Sequence, residues 1–296
     1  MPALTRGSGM TEAVLQDESG AQLTPAPRRS RGTVLLGIGI AMLVLMLVAT
    51  VLGPLIAPHG AAQTSPNSLA GPSAAHWLGT DSIGRDVLSR LIIGGRTTLF
   101  ITFVAVALAV SCGLVLGLAS GYLGGWVDQA VMRALDIVFA FPVFLLAIAV
   151  VAALGPSVPN LILTIAIVYT PTLARVVRGP VLSIKRWDHV EAARSVGVSE
   201  FAIATRHVLP LVISPVLVQT SLTLAHTIFT VTALSFLGIG PPPPNPNWGS
   251  MLSEARQFME LAPLTVIGPA LAITYATMTF IVLANGLREF LDVGNR

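Results

Sequence analysis

Ile137–Ala174 reads "IVFAFPVFLLAIAVVAALGPSVPNLILTIAIVYTPTLA", a stretch without one Asp, Glu, Lys or Arg. A bilayer core takes about 20 apolar residues per helix, so this run supplies much of two spans. Gly155-Pro156-Ser157-Val158-Pro159-Asn160 breaks it in the middle, as Gly-Pro and Pro-Asn clusters do. Four further charge-free runs, 32–58, 97–127, 207–253 and 261–287, lie on either side of it. The chain of 296 residues is 53% hydrophobic and only 10% charged, against about 25% charged for a soluble domain. The solvent of most of this chain is therefore lipid. The expectation is an all-α polytopic membrane protein with six helices near 33–57, 98–122, 129–153, 158–178, 211–236 and 264–287.

The polar remainder sets the organisation. Residues 1–32 are rich in Pro, Ser and Gly and carry Arg28, Arg29 and Arg31, which suggests a disordered tail ahead of a signal anchor. The apolar run that follows is longer than the 7–15 residues of a cleavable signal peptide. With the N-terminus placed inside, 13 of the 17 Lys and Arg fall on inner segments. Arg85, Arg90, Arg96 and Arg256 fall outside. This bias puts both ends and the 179–210 loop in the cytoplasm. Residues 58–97 then form an extracytoplasmic segment, and 98–292 a core of five spans. The net charge of +3 is topology and not a nucleic-acid footprint. Cys112, the one cysteine, lies within a span, which excludes a disulfide framework and a thiolate metal site.

Between the fourth and fifth spans stands "HVEAARSVGVSEFAIATRHVLP", His189–Pro210. Glu191-Ala192-Ala193-Arg194 is strong helix-forming sequence. Gly197 falls where that helix would end, and Ser199 can cap a second helix running through Phe201, Ile203 and His207. Pro210 follows at the mouth of span five. Two short helices hinged at a glycine would lie on the inner membrane face. Their alanine surface would admit close approach by another protein, with Glu191 available to a basic partner. A solvated connector is the plainer alternative.

The spacing of Glu191, Ala192, Ala193, Gly197, Leu209 and Pro210 resembles the EAA loop of ABC-importer permeases, with His207 where many relatives have Ile. "LGTDSIGRDVLSRLIIGGRTTL" (Leu78–Leu99) is similar to L-G-T-D-x-x-G-R-D-x-x-S-R-x-x-x-G-x-R of the C-type permease of dipeptide, oligopeptide and nickel importers. "TALSFLGIGPPPPNPNWGSML" (Thr232–Leu252) and "DIVFAFPVFLLAI" (Asp136–Ile148) resemble that branch too. The C-terminal "LANGLREFLDVGNR" departs from it, with Asn285 for the usual Asp. The resemblance covers residues 76–291. It implies a type I importer permease fold and a di- or oligopeptide cargo, with nickel chelates or other small solutes as alternatives. It implies a homologous second permease, two ATPase subunits or one fused, and an external solute-binding protein. The EAA loop would dock in a groove on the ATPase. ATP and Mg would belong to that partner. This chain has no Gly-x-x-x-x-Gly-Lys-Ser/Thr and no Ser-His-Asp or metal constellation, so it is not expected to be an enzyme. The energy must come from another subunit or an ion gradient. An ion-driven transporter would want paired acids near the midplane, which the spans lack.

Two further patterns invite a role. Ile83, Val87, Leu88, Leu91 and Ile92 share a helical face, opposite Arg85, Asp86, Ser89 and Arg90. Asp81–Arg85 and Asp86–Arg90 are i,i+4 pairs with the acid first. An amphipathic helix at the outer interface is expected. In span five, Gln219, Thr223, His226, Thr227 and Thr230 recur at helical spacing. That stripe either lines a translocation path or bonds to neighbouring helices. Arg133–Asp136 is expected as a local pair, and Trp248 at the membrane interface.

Overall fold

The computed structural model describes residues 28–294. Of the tail expected over 1–32, residues 1–27 lie outside the described residues, and 28–32 are not a tail but the first turns of α1. Eleven α-helices occur among those described: α1 Arg28–Val51, α2 Gly53–Ile56, α3 Val87–Leu123, α4 Gly125–Phe139, α5 Val143–Leu154, α6 Val158–Ile184, α7 Asp188–Ser195, α8 Glu200–Ile203, α9 Leu209–Phe236, α10 Trp248–Ala255 and α11 Leu264–Gly294. The β-pairing among these residues is two single bridges, Thr64 with Arg85 and Thr80 with Asp86.

Five helical segments are long and apolar enough to cross a membrane: 31–51, 87–123, 158–184, 200–236 and 264–291. The sixth crossing is not the straight helix expected over 129–153. Instead α4 and α5 meet at a bend of 90°. The cause is Pro142, which has no N–H and disfavours helical backbone at Phe141. The far end of α3 packs on the end of α6, Gly121 against Val181. Since α6 begins at the opposite end, the bent pair must carry the chain across. The fold thus has an α7 end and an α10 end. Both described termini lie at the α7 end, where Gly32 of α1 abuts Glu289 of α11.

Glycines set the tightest helix packing. Along α3, Gly113, Gly117 and Gly121 repeat every fourth residue and face α6. A Cβ at Gly117 would sit 2.4 Å from the Ala174 carbonyl oxygen, and one at Gly113 2.6 Å from Leu173 Cβ. Small residues at this spacing let helix backbones approach where no hydrophobic effect drives association. Across the α1–α11 contact, a Cβ at Gly286 would lie 2.4 Å from the Leu36 nitrogen.

The 37-residue α3 is about 55 Å long, well beyond a bilayer core. Its first turns therefore belong to the α10 end. No helix forms over 81–86, which corrects the expected interfacial helix. Asp86 is the N-cap, its carboxylate accepting the Ser89 N–H at 2.7 Å, and Val87 opens a span. Val87 is buried while Ile83 is exposed. Trp248, expected at the membrane interface, is turned into the chain's own packing. It is buried against Gly95, and its indole N–H donates to the Leu91 carbonyl at 2.9 Å.

Candidate functional site

At the α7 end, the block from Trp187 to Pro210 folds as two short helices about Gly197, with φ of +84°. The Gly197 and Val198 N–H groups donate back to the Arg194 and Ala193 carbonyls at 3.1 and 3.2 Å. This closes α7 as a glycine C-cap does. Ser199 Oγ accepts the Ala202 N–H at 3.4 Å and opens α8. The second helix does not stop before span five. Helix runs unbroken from Glu200 to Phe236, widening to a π turn over Ala204–Val208. Pro210 explains the widening: its ring would clash with the carbonyl of the preceding turn, and the Leu209 N–H bonds instead to the Ala204 carbonyl. His207 lies in this π turn, its Nδ1 buried without a partner.

Val190, Ile203 and Val208 are fully buried with Val177, Val181 and Val212, which anchors the block to α6 and α9. The outward surface is the reverse. Glu191 and Ala192 are exposed, Ala193 is half-buried, and Val196 and Phe201 are each 80% exposed. Arg194 and Glu200 bridge α7 and α8 at 2.8 Å, and Glu200 also takes the Tyr122 hydroxyl of α3. Lys185 Nζ donates to the Gly121 carbonyl at 2.6 Å, satisfying the end of α3. Arg178 makes two bonds of 2.6 Å to Asp128. Asp136 pairs with Arg175 of α6 at 2.5 Å, not with Arg133 as expected, and the Arg175 guanidinium also covers the Phe139 ring. Motif spacing singled out Glu191, Ala192, Ala193, Gly197, His207, Leu209 and Pro210. It gave no sign that Val196 and Phe201 are exposed, nor of the Tyr122–Glu200–Arg194 link, in which Tyr122 and Glu200 lie 78 residues apart.

The structure divides the span-five stripe. Thr223, Thr227 and Thr230 are buried in the chain's own packing. Thr230 shares a hydrogen bond with Tyr169 of α6 at 2.8 Å, and Thr223 donates to the Gln219 carbonyl at 2.8 Å. His226 is exposed and Gln219 half-buried. Gln219 borders an open cavity of about 460 Å³ with Ser214, Val176, Leu222 and Arg288. The five residues thus do not form one surface.

At the α10 end, Arg85 binds Asp81 at 2.7 Å, as its spacing implies. The expected Asp86–Arg90 pair does not form. Arg90 turns to Asp81 and to Glu254 of α10 (3.0 Å), and Arg85 reaches Glu254 at 2.6 Å. Asp86 is left to His76 and the helix cap. Burial raises the Asp86 carboxyl. Hydrogen bonds from Ser89 and His76 and the nearby His59 more than offset this, so its pKa lies below the ordinary carboxylate value.

The chain thus combines a helix bundle, a bent α4–α5 pair and a hinged block fused to a long helix. The profile of the family described as "Binding-protein-dependent transport system inner membrane component" matches residues 113–296. The chain belongs to this family. Among curated relatives, this permease is 41% identical over 256 residues to the dipeptide transport system permease protein DppC of Alkalihalophilus pseudofirmus, covering 86% of this chain and 84% of that one. It is 46% identical over 222 residues to the glutathione transport system permease protein GsiD of Pectobacterium atrosepticum, covering 75% and 74%. An Escherichia coli GsiD is 41% identical over 251 residues, covering 84% and 83%. Among solved structures, a chain of the MetNI methionine ABC transporter in an inward-facing conformation superposes with a TM-score of 0.55 at 19% identity. The match covers 69% of this chain and 96% of that one, and it speaks to the fold alone. The C-type resemblance and the importer-permease fold both hold. The chain is an inner-membrane transport subunit of the ABC importer class.

Proposed function

We propose that this permease forms half of the translocation pathway of an ATP-driven importer for di- and oligopeptides. Its Trp187–Pro210 block would take up the motion of separate ATPase subunits. The observation that carries the reading is the pairing of an anchored inner face with a bare apolar outer one. Val190, Ile203 and Val208 are sealed, while Val196 and Phe201 stand 80% exposed. Phe201 also borders an apolar groove with Val115, Leu118 and Leu123 of α3, which adds to the apolar surface offered at this end. The charge bias supports a cytoplasmic α7 end, where ATP and Mg would be bound by the partner ATPases. A peptide cargo is supported by the dipeptide and glutathione relatives. A homologous second permease and an external binding protein complete the assembly in this reading.

The mechanical step follows from continuity. Because Glu200–Phe236 is one helix, a displacement of α8 would be carried into α9, while α7 joins it through the Gly197 turn. The surface of α9 on the pathway would be His226 and Gln219, with the threonines packed behind it. Interaction energy that differs between the two states of the ATPase pair is what could shift the bundle.

The test is co-purification of the ATPases together with uptake of a labelled dipeptide in reconstituted vesicles. Glu191→Lys should leave the permease inserted and folded, and should abolish ATPase recovery and uptake. Normal recovery and uptake would reduce the block to a connector. Cysteines at Gln219 and His226 should react with small aqueous reagents in an ATP-dependent way, and cysteines at Thr223 and Thr227 should not.

A further inference from the structure

At the α10 end three side chains from separate turns converge. His59 follows α2, His76 lies in the 73–79 turn, and Asp86 caps α3. Each is held by its backbone. The His59 N–H donates to Ser89 Oγ at 3.1 Å. The His76 N–H donates to Ser73 Oγ at 3.1 Å, and its carbonyl accepts from Ser73 and Gly79, both at 2.9 Å. Asp86 is 1% exposed. One of its oxygens accepts the Ser89 N–H at 2.7 Å. The other lies 2.9 Å from His76 Nδ1 and 3.9 Å from His59 Nδ1. The two rings stack at 4.8 Å with a tilt of 32°.

An Asp–His hydrogen bond at a helix cap accounts for His76 and leaves His59 unexplained. His59 Nδ1 is shut off from water and has no hydrogen-bond partner. Buried polar atoms of this kind are uncommon. It faces the same carboxylate oxygen as His76, with all three donor atoms within 4.8 Å of one another. Ligands at about 2.0–2.2 Å from one cation stand roughly 3–4 Å apart. The carboxylate–imidazole separations of 2.9 and 3.9 Å fall near that range, and the whole set lies within 4.8 Å. Small ring rotations would complete the set. The Ser89 N–H would then be the outer-shell bond that orients the ligating carboxylate. The His59 side chain is 27% exposed, so its ring lies at the edge of the cluster, next to solvent.

We propose that His59, His76 and Asp86 bind a late first-row divalent cation of the zinc class. Two imidazoles and one carboxylate suit zinc and its neighbours and not calcium or magnesium, which take oxygen shells. The cation ties the turn after the first span and the 73–79 turn to the N-terminus of α3. It thereby fixes the α10-end segment that precedes the core. The site is independent of the peptide cargo and of the ATPase reading.

The experiment uses the purified full-length permease, alone and in its complex, stripped with EDTA. Zinc is titrated against a chromophoric competitor, and its coordination is read by X-ray absorption at the zinc edge. The expected result is one zinc per permease chain with two nitrogen ligands of imidazole type, unaffected by millimolar magnesium. His59→Gln, which leaves the His76–Asp86 bond intact, and His76→Gln should each weaken binding by at least the roughly 100-fold that loss of an outer-shell partner can cost. Substoichiometric zinc in the parent protein overturns the proposal. So does zinc that binds equally well to both variants, or an absorption spectrum without imidazole scattering.

Discussion

The two ends of this permease use charge in opposite ways. At the α10 end, Asp81, Arg85, Arg90 and Glu254 close on one another, with Arg90 only 3% exposed. The group spans a turn, α3 and α10 and leaves each charge matched. At the α7 end, Arg194 and Glu200 make an exposed bridge between two short helices while Val196 and Phe201 point outward. At the α10 end these four charges are met within the chain. At the α7 end, under the proposed function, Val196 and Phe201 would be met by a partner. On that reading, substitutions at the two ends should fail in different ways.

The largest effect on the fold is expected at Arg90. Arg90→Ala removes one of two cations from a partly buried group of four and leaves Asp81 and Glu254 sharing Arg85. Breaking a buried ion pair from one side costs about 3–5 kcal/mol. The variant should show a clearly lower melting temperature in detergent and reduced membrane yield. A melting curve unchanged from the parent would mean that this charge network does not hold the α10 end together.

That network was half legible in the sequence. The Asp81–Arg85 pair follows from i,i+4 spacing, but the same rule applied to Asp86–Arg90 fails, because 81–86 is a turn and Asp86 is spent on the cap. Glu254 lies far along the chain, and no local pattern joins it to Arg90. The six crossings were legible because lipid enforces long charge-free runs. The bend at Pro142 was signalled by the proline itself, in a run read as one helix for its apolarity. The α7 hinge was legible through Gly197 and Ser199, which act locally. The span-five stripe was not, since helical spacing reports a shared face and cannot say whether a neighbouring helix such as α6, through Tyr169, covers it.

A middle-sized effect belongs to Gly197. Its φ of +84° is the left-handed region, and a Cβ there would meet nothing within 4 Å. Any cost is therefore conformational and not steric crowding. Gly197→Val should cost about 1–3 kcal/mol locally. Gly197→Asn, which visits that region more readily, should cost less and keep uptake closer to normal. Hydrogen exchange over Asp188–Ile203 would locate the loss. If valine and asparagine behave alike, the glycine conformation is not what positions α7 against α8.

The smallest effect on the fold, and the sharpest division between the two ends, is expected at Phe201. Its ring is 80% exposed, so Phe201→Ser removes almost no packing from the chain. Stability should stay within about 0.5 kcal/mol of the parent, as for other surface changes. An aromatic side chain that fills a pocket on a partner is another matter, and its truncation costs about 2 kcal/mol or more. Loss of about 2 kcal/mol corresponds to roughly 30-fold weaker association. Isolated permease carrying Phe201→Ser should thus melt like the parent and fail to retain ATPase subunits through purification. Val196→Ser should act in the same direction with a smaller loss, since valine buries less area. The contrast with Arg90→Ala is the point of the pair: that variant should lose the fold and the partner together. If Phe201→Ser lowers the melting temperature as much as Arg90→Ala does, the α7 end is part of the permease's own core. If it changes neither property, the exposed ring is not where the partner binds.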